Sequence, residues 1–242
     1  MVDFHSHILP GVDDGSRSVE ESLELLRMEK EQGITHVVAT PHFYPRHNDP
    51  ETFLDRRNRA ARALSRAMEA YPDLPRFSLG AEVHYFRGMS ESDLLPKLRV
   101  LGTACILVEM PRAPWQESMY EDLARIPGKW GLTPVIAHLD RYIRPFHTHG
   151  IPQRLEQLPV LVQANASFFT DRHTASLALK LLDQDRIHLL GSDCHDPQTR
   201  PPELGAAMAV IRRKLGEAPL ERINLRARKL KKPSIPAVVA DF

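Results

Sequence analysis

Seven short apolar segments, each followed by a stretch with helical character, leave this chain few architectures. They are the run opening at Val2, then Ile34–Thr40, Phe77–Leu79, Ile106–Val108, Pro134–Ala137, Val160–Gln163 and Ile187–Leu190. Between them, apolar residues recur at helical spacing, as at Leu23 and Leu26 after a Ser18-Val19-Glu20-Glu21 capping box, with Gly33 as the stop. Phe53–Tyr71 predicts a helix with Leu54, Ala61, Leu64 and Met68 inward and Arg56, Arg59, Arg62 and Arg66 outward on a solvated face. Further helices are predicted near 92–99, 117–126, 152–158, 173–184 and 203–215. Such alternation is the signature of a parallel sheet with right-handed crossovers. Pro233 and Pro236 in the Lys231–Phe242 tail argue against regular structure there, and no composition break divides residues 1–230, so one domain is expected over 1–242.

Six of the seven strands are followed within a few residues by His, Asp or Glu. In (β/α) barrels the active site lies at the C-terminal ends of the strands. A closed or nearly closed seven-stranded barrel converges these side chains on one mouth, whereas an open doubly wound sheet spreads them along an edge. The opening stretch carries the clearest signal. His5 and His7 stand two residues apart, hence on one face of a strand, and Asp13 and Asp14 follow a Pro10-Gly11 turn that lets them fold back. The candidate ligands are His5, His7, Asp14, His42, Glu82, Glu109, His138, Asp193 and His195. Five imidazoles and four carboxylates exceed one ion and suit two or three first-row cations. Three divalent ions would leave a net charge of about +2 over the four carboxylates, attractive to a phosphate dianion, and would lower the pKa of a bridging water.

Composition excludes several classes. A net charge of +1 gives no general case for nucleic acid or membrane binding, and no apolar run approaches the roughly 20 residues that cross a bilayer. Two cysteines, Cys105 and Cys194, make no disulfide framework, and no leader pattern precedes the first strand, so a cytoplasmic protein is expected.

HSHILPGVDDG, ATPHF, GAEVHY, LVEM, IAHLDRY and SDCHD, in this order, resemble the PHP-domain (polymerase and histidinol phosphatase) superfamily. More narrowly they resemble the bacterial manganese-dependent protein-tyrosine phosphatases of capsule and exopolysaccharide operons, over residues 2 to about 205. The resemblance implies a distorted (β/α)7 barrel holding two to three divalent ions, most often Mn, with Fe or Zn as alternatives. It implies a metal-dependent phosphoric monoester hydrolase acting on phosphotyrosine of a tyrosine autokinase of polysaccharide export, with a metal-bridging hydroxide as attacking group. All nine ligand positions of the family are filled by the residues above. Arg141 and Arg200 match positions that grip the phosphate, and His42 is a candidate proton donor. Two departures stand out: Leu139-Asp140 replaces the usual Pro-Glu before Arg141, and Cys194 replaces the usual Ala or Met. The alternatives are hydrolysis of a small ester such as histidinol phosphate, or a non-catalytic PHP regulatory module.

Cys194 and Arg200 also spell C-x5-R, the spacing of thiolate phosphatases. That chemistry needs a cradle of backbone N–H groups, whereas the intervening residues contain no Gly but do contain Pro197 and the repelling Asp196. Coincidence is the better account. His36 and His188 open strands at the end away from the site, His84 is expected to turn away from it, and His47, His147, His149 and His173 fall in loops or at helix starts.

Overall fold

The structure, a computed structural model, describes residues 1–143 and 150–230. His147, His149 and the Lys231–Phe242 tail lie outside the described residues. Nine strand segments occur: β1 (Val2–Ser6), β2 (His36–Ala39), β3 (His42–Phe43), β4 (Arg76–Leu79), β5 (Glu82–His84), β6 (Cys105–Glu109), β7 (Thr133–Ile136), β8 (Leu161–Asn165) and β9 (Leu189–Gly191). They fill seven positions, because β2 runs on into β3 and β4 into β5. Each pair is interrupted by two residues, Thr40-Pro41 and Gly80-Ala81. Pro41 has no N–H for a ladder, and its carbonyl instead accepts from the Glu82 N–H at 3.0 Å.

All strand pairs are parallel, in the orders β1-β2-β4 and β3-β5-β6-β7-β8-β9. The outer members meet. Asp193 N–H donates to the His5 carbonyl at 2.8 Å, His7 N–H to the Cys194 carbonyl at 2.9 Å, and Ser6 bridges Cys194 in parallel. The sheet thus curls so that the end of β1 lies beside the end of β9, and the α/β class and distorted barrel architecture expected from the sequence are what the chain adopts.

Phe4, Val38, Leu107, Val135, Ala137 and Leu189 form an apolar group apart from the main core. They come from β1, β2, β6, β7 and β9, which are not all neighbours, so their side chains meet inside the curl. Ala227 joins them from a helix at Ala218–Lys229. That helix covers the N-terminal ends of the strands, with the Arg226 guanidinium donating to the His188 carbonyl. Sequence reasoning missed it, although Pro219 near its start and the buried Leu220, Ile223 and Ala227 mark it.

The larger core packs helices on the outside, including Val19–Glu31 and Pro50–Met68. Ser18 caps the first through the Glu21 N–H, and Asp49 caps the second through the Thr52 N–H at 2.8 Å, with Pro50 beginning the helix. The buried face of the second helix matches expectation at Ala61 and Leu64 but not at Leu54 and Met68, which are only half-buried. Phe53, Ala60, Ala61 and Leu64 are buried, and so is Arg57, whose Nη1 donates to the Gly80 carbonyl at 3.0 Å. Burial lowers the Arg57 guanidinium to a pKa of about 10, and its partner is a carbonyl freed by the interruption between β4 and β5.

Candidate metal centre and phosphate site

The C-terminal ends of the strands bring eleven predicted site residues to one mouth. β1 and the turn after it deliver His5, His7 and Asp14; β3, β5 and β6 deliver His42, Glu82 and Glu109. His138 and Arg141 follow β7, while Asp193, His195 and Arg200 follow β9. Two of these residues end their strands in the left-handed region, His138 at φ 32° and Asp193 at φ 54°. Non-glycine residues hold such angles only where surrounding structure enforces them, and such strain clusters at functional sites. Each turns its side chain sharply off the strand path.

His5 Nε2 and His7 Nε2 face each other at 3.1 Å. Glu82 Oε2 lies 3.3 Å from the first and 3.4 Å from the second, and Asp193 Oδ1 lies 3.6 and 3.4 Å away. His42 Nδ1 is 2.9 Å from Glu82 Oε2, and Asp14 Oδ1 is 3.5 Å from both His42 Nε2 and His195 Nε2. His138 Nε2 is 2.7 Å from Glu82 Oε1 and 3.6 Å from Glu109 Oε1. Four groups among the described residues have ligand atoms within 4.8 Å of one another; three lie at the mouth (His7, Asp14, His42 and His195; His5, His7 and Asp193; His42, Glu82 and Glu109), and the fourth, Asp3, Glu29 and Cys194, lies behind β1.

These donors fit cations. Glu82 Oε2, Asp193 Oδ1, His42 Nδ1 and His195 Nε2 are buried without a well-formed hydrogen bond. Each orphaned polar atom costs about 1–3 kcal/mol, so four around one space call for a positive partner. Nitrogen and carboxylate oxygen in this mixture suit borderline divalent metals.

Protonation in the bare protein follows the same logic. Burial alone would lower His5 and His7, but Glu82 and Asp193 raise His5, and Asp13 with other carboxylates raises His7 well above the ordinary imidazole value. Burial would raise Glu82 and Asp193; the surrounding imidazoles instead hold both well below the carboxylate range. His195 is lowered to about 4 by burial, then by His7 and Arg200, which leaves it neutral and able to ligate.

Asp13, which the sequence places near the site, and two side chains that sequence reasoning did not single out, Gln163 and Asn165, orient this set. Asp13 Oδ2 takes a bond from His7 Nδ1 at 2.7 Å and from the His42 N–H at 2.9 Å, leaving His7 Nε2 pointing inward. Burial, which would raise the Asp13 carboxyl, is overridden by His7, and its pKa falls to about 2. Gln163 Oε1 sits 3.2 Å from His5 Nδ1 and accepts from the His138 N–H at 2.6 Å. Gln163 Nε2 donates to Asn165 Oδ1, and Asn165 Nδ2 to Asp193 Oδ2, both at 2.9 Å. Partners of this kind fix tautomer and ring angle in metal sites. Alternation along β8 could have flagged Gln163 and Asn165 as a same-face polar pair. His84 departs from expectation: its Nδ1 faces Glu109 Oε2 at 3.2 Å, because β5 pairs with β6 in a register that sets the two residues side by side. His36 and His188 do bond elsewhere, to Ser78 Oγ and the Val162 N–H.

Arg141 and Arg200 both reach Asp193. Arg141 Nη2 contacts Asp193 Oδ2, and Arg200 Nη2 lies 3.0 Å from the same oxygen. The Leu139-Asp140 departure therefore leaves Arg141 at the mouth, with Asp140 Oδ1 taking the Asn165 N–H at 3.2 Å. A cavity of about 260 Å³ opens here, lined by both arginines, Asn165, Ser167, Asp193 and Thr199. Cys194 is fully buried; burial, then Glu29 and Asp3, push its thiol well above the ordinary range. It meets none of the requirements of a thiolate nucleophile.

The chain is similar to known proteins over nearly its whole length. The chain is 29% identical to the tyrosine-protein phosphatase CpsB of Streptococcus agalactiae serotype V over 233 residues, 93% of each chain. It is 28% identical to the tyrosine-protein phosphatase YwqE of Bacillus subtilis strain 168, over 89% of this chain and 85% of that one. A crystal structure from work on YwqE of Bacillus subtilis and CpsB of Streptococcus pneumoniae, described as metal-dependent tyrosine phosphatases, superposes with a TM-score of 0.79. It shares 25% identity and covers 97% of this chain and 96% of that one. The family model for capsular polysaccharide synthesis, CpsB/CapC, matches residues 1–230, and the chain belongs to that family.

Proposed function

We propose that this protein is a metal-dependent protein-tyrosine phosphatase of capsule or exopolysaccharide synthesis. The observation that carries the reading is the set of buried imidazole and carboxylate atoms without well-formed hydrogen bonds converging beside two guanidinium groups that share one carboxylate. His5, His7, Asp14, His42, Glu82, Glu109, His138, Asp193 and His195 would hold two to three divalent ions, with Mn favoured and Fe or Zn as alternatives. Bound there, such ions supply Lewis acidity and a nucleophile from water at neutral pH.

The chain's own groups do the rest. Arg141 and Arg200 offer planar forks that match phosphate oxygens two at a time and strengthen as charge spreads over the phosphoryl group. Their shared contact with Asp193 Oδ2 holds both forks at the mouth, where an incoming phosphate can take up their remaining N–H donors. Asp13 and Gln163 hold His7 and His5 in the tautomers that point Nε2 inward. The departing tyrosyl oxygen has a pKa near 10, so it leaves with little help from an acid. His42 was a candidate donor. Wedged between Glu82 and Asp14, it serves better as a ligand.

The substrate in this reading is a phosphotyrosyl protein, specifically a tyrosine autokinase of polysaccharide export, met in the cytoplasm. Among the described residues no helix is long and apolar enough to cross a membrane. Single-domain organisation over residues 1–242 is part of the same proposal. The test is metal-depleted protein reloaded with Mn, Zn or Fe and assayed on a phosphotyrosyl peptide and on histidinol phosphate. Metal-restored hydrolysis of the peptide at far higher kcat/KM is expected. Preference for histidinol phosphate would replace this reading with the small-ester one, and inactivity on both would leave a regulatory module.

A further inference from the structure

We propose that a second cavity at the mouth, over β3, β5 and β6, receives the aryl ring of the phosphotyrosyl substrate together with acidic residues flanking it. This deepens the phosphatase reading and rests on it. The cavity measures about 440 Å³ and is lined by Tyr44, Arg46, His84, Phe86, Arg87 and Met119 among others. It adjoins the metal centre directly. The Tyr44 ring stacks on His42 at 5.1 Å between centroids and 30° between planes, and it stands 5.6 Å from His84, which faces Glu109.

The two cavities divide the chemistry. The one over β7 to β9 carries Arg141 and Arg200 and suits the phosphoryl oxygens. The one over β3, β5 and β6 presents Pro45, Phe86, Pro111 and Met119 as apolar walls beside Tyr44, surfaces on which a planar ring packs well. An ester held by its phosphoryl oxygens at the first flank directs its leaving group across the metal centre toward the second. Ring recognition therefore falls to Tyr44 and its neighbours.

Charge selects what surrounds the ring. Arg46 and Arg87 are exposed at the cavity edge, and neither has an ion-pair partner among the described residues. No Asp or Glu lines the cavity. Two unpaired guanidiniums repel the ammonium group of an amino-alcohol phosphate and attract carboxylates beside a phosphotyrosine. They supply an electrostatic reason for an acidic protein segment over a small amine ester.

The test compares Mn-loaded wild type with Arg46→Gln/Arg87→Gln and with Tyr44→Ala. Substrates are an acidic phosphotyrosyl peptide, the same peptide with its flanking acids changed to amides, phenyl phosphate, and glycerol phosphate. For the double variant, KM on the acidic peptide should rise about three- to tenfold, as for a pair of solvent-exposed ion pairs. Its KM on the amide peptide and its kcat on phenyl phosphate should be unchanged. Added salt should raise the acidic-peptide KM more steeply in wild type than in the double variant. Tyr44→Ala should raise KM for both aryl esters and leave glycerol phosphate and metal content as they were. Equal response of the acidic and amide peptides in the double variant, or equal loss on aryl and alkyl esters in Tyr44→Ala, would overturn the proposal while wild-type activity on phosphotyrosine kept the parent reading intact. Wild type inactive on every phosphotyrosyl substrate would overturn both.

Discussion

Asp193 is the residue on which the two halves of the site lean. Its Oδ1 faces His5 and His7, while its Oδ2 faces Arg141, Arg200 and Asn165. Removing either arginine leaves Oδ1 and the imidazoles where they are, since a guanidinium cannot ligate a cation. Arg141→Ala and Arg200→Ala are expected to lower kcat/KM on a phosphotyrosyl peptide at least about tenfold with unchanged metal content. Each removes a charge-assisted hydrogen bond of about 1.5–3 kcal/mol. Lysine should rescue only in part, because an ammonium keeps the charge without the fork. Near-normal kinetics in either variant would take that arginine out of the site. A different single residue governs the layer between β1 and the helix behind it. Glu29 is fully buried, its carboxyl raised well above the ordinary range by burial and then by Asp3. Asp3 is itself held by Ser192 and the His5 N–H. Burial raises the Asp3 carboxyl as well, so the two carboxyls favour holding a proton between them. A carboxyl whose folded pKa lies above its unfolded value near 4.3 costs stability as pH rises above that value and toward the folded pKa. Glu29→Gln keeps a donor and removes the titration. Urea midpoints should therefore show the variant gaining on wild type between pH 5 and 8; a gap that is flat with pH would refute the shared proton.

At the scale of elements, the site depends on how closely β9 approaches β1 and β8. A Cβ on Gly191 would stand 2.6 Å from Gln163 Nε2 and 2.6 Å from the His5 Cβ. Gly191→Ala must therefore displace the side chain that orients His5 or push β9 away from β1. Overpacking of this kind costs about 1–3 kcal/mol. Metal content should fall along with stability, so elemental analysis beside a denaturation curve checks it; full metal loading in a destabilised variant would mean that Gln163 does not orient His5. This contact also marks where the sequence stops being legible. The strand ends were readable because β-branched apolar runs terminate in His, Asp or Glu, and the ligand-type residues at those ends do converge. Gln163 and Asn165 share a face of β8, but that strand is buried on nearly every residue, so the alternation alone does not say that the pair faces the ligands rather than the core. His84 was taken to turn away, since nothing local says that β5 pairs with β6 in the register that sets it beside Glu109. Arg57 has no assigned face in the sequence reading, and only the interruption after β4 creates the carbonyl that draws it inward.

For the whole molecule, the curl juxtaposes residues nearly a full chain apart, as in the Ser192 to Asp3 bonds, and so gathers four carboxylates and five imidazoles in one small volume. Without cations the protein balances this charge with protons. His5 and His7 have folded pKa values above their ordinary 6.5, so their stabilising contribution is complete below about pH 6.5 and is lost as pH rises through those folded values. Glu82 and Asp193 run the other way. Their folded values are depressed, so their contribution is present above about pH 4 and is lost only as pH falls through those values. The metal-free fold is therefore best supported in mildly acidic solution and weakens toward pH 8. Metal binding needs the same imidazoles unprotonated and releases their protons, so the affinity of the proposed ions climbs over that range. The two trends separate the melting curves. At pH 8, ions at a hundredfold excess over Kd stabilise by about 2.7 kcal/mol per site, which for a chain of this size is roughly 5–10 °C each. The difference in Tm between Mn-loaded and chelator-treated protein should be small near pH 5.5 and grow steadily to pH 8, as calorimetry at matched ionic strength would show. A difference that stayed constant, or that shrank as pH rose, would mean that His5 and His7 are not among the groups the ions displace protons from.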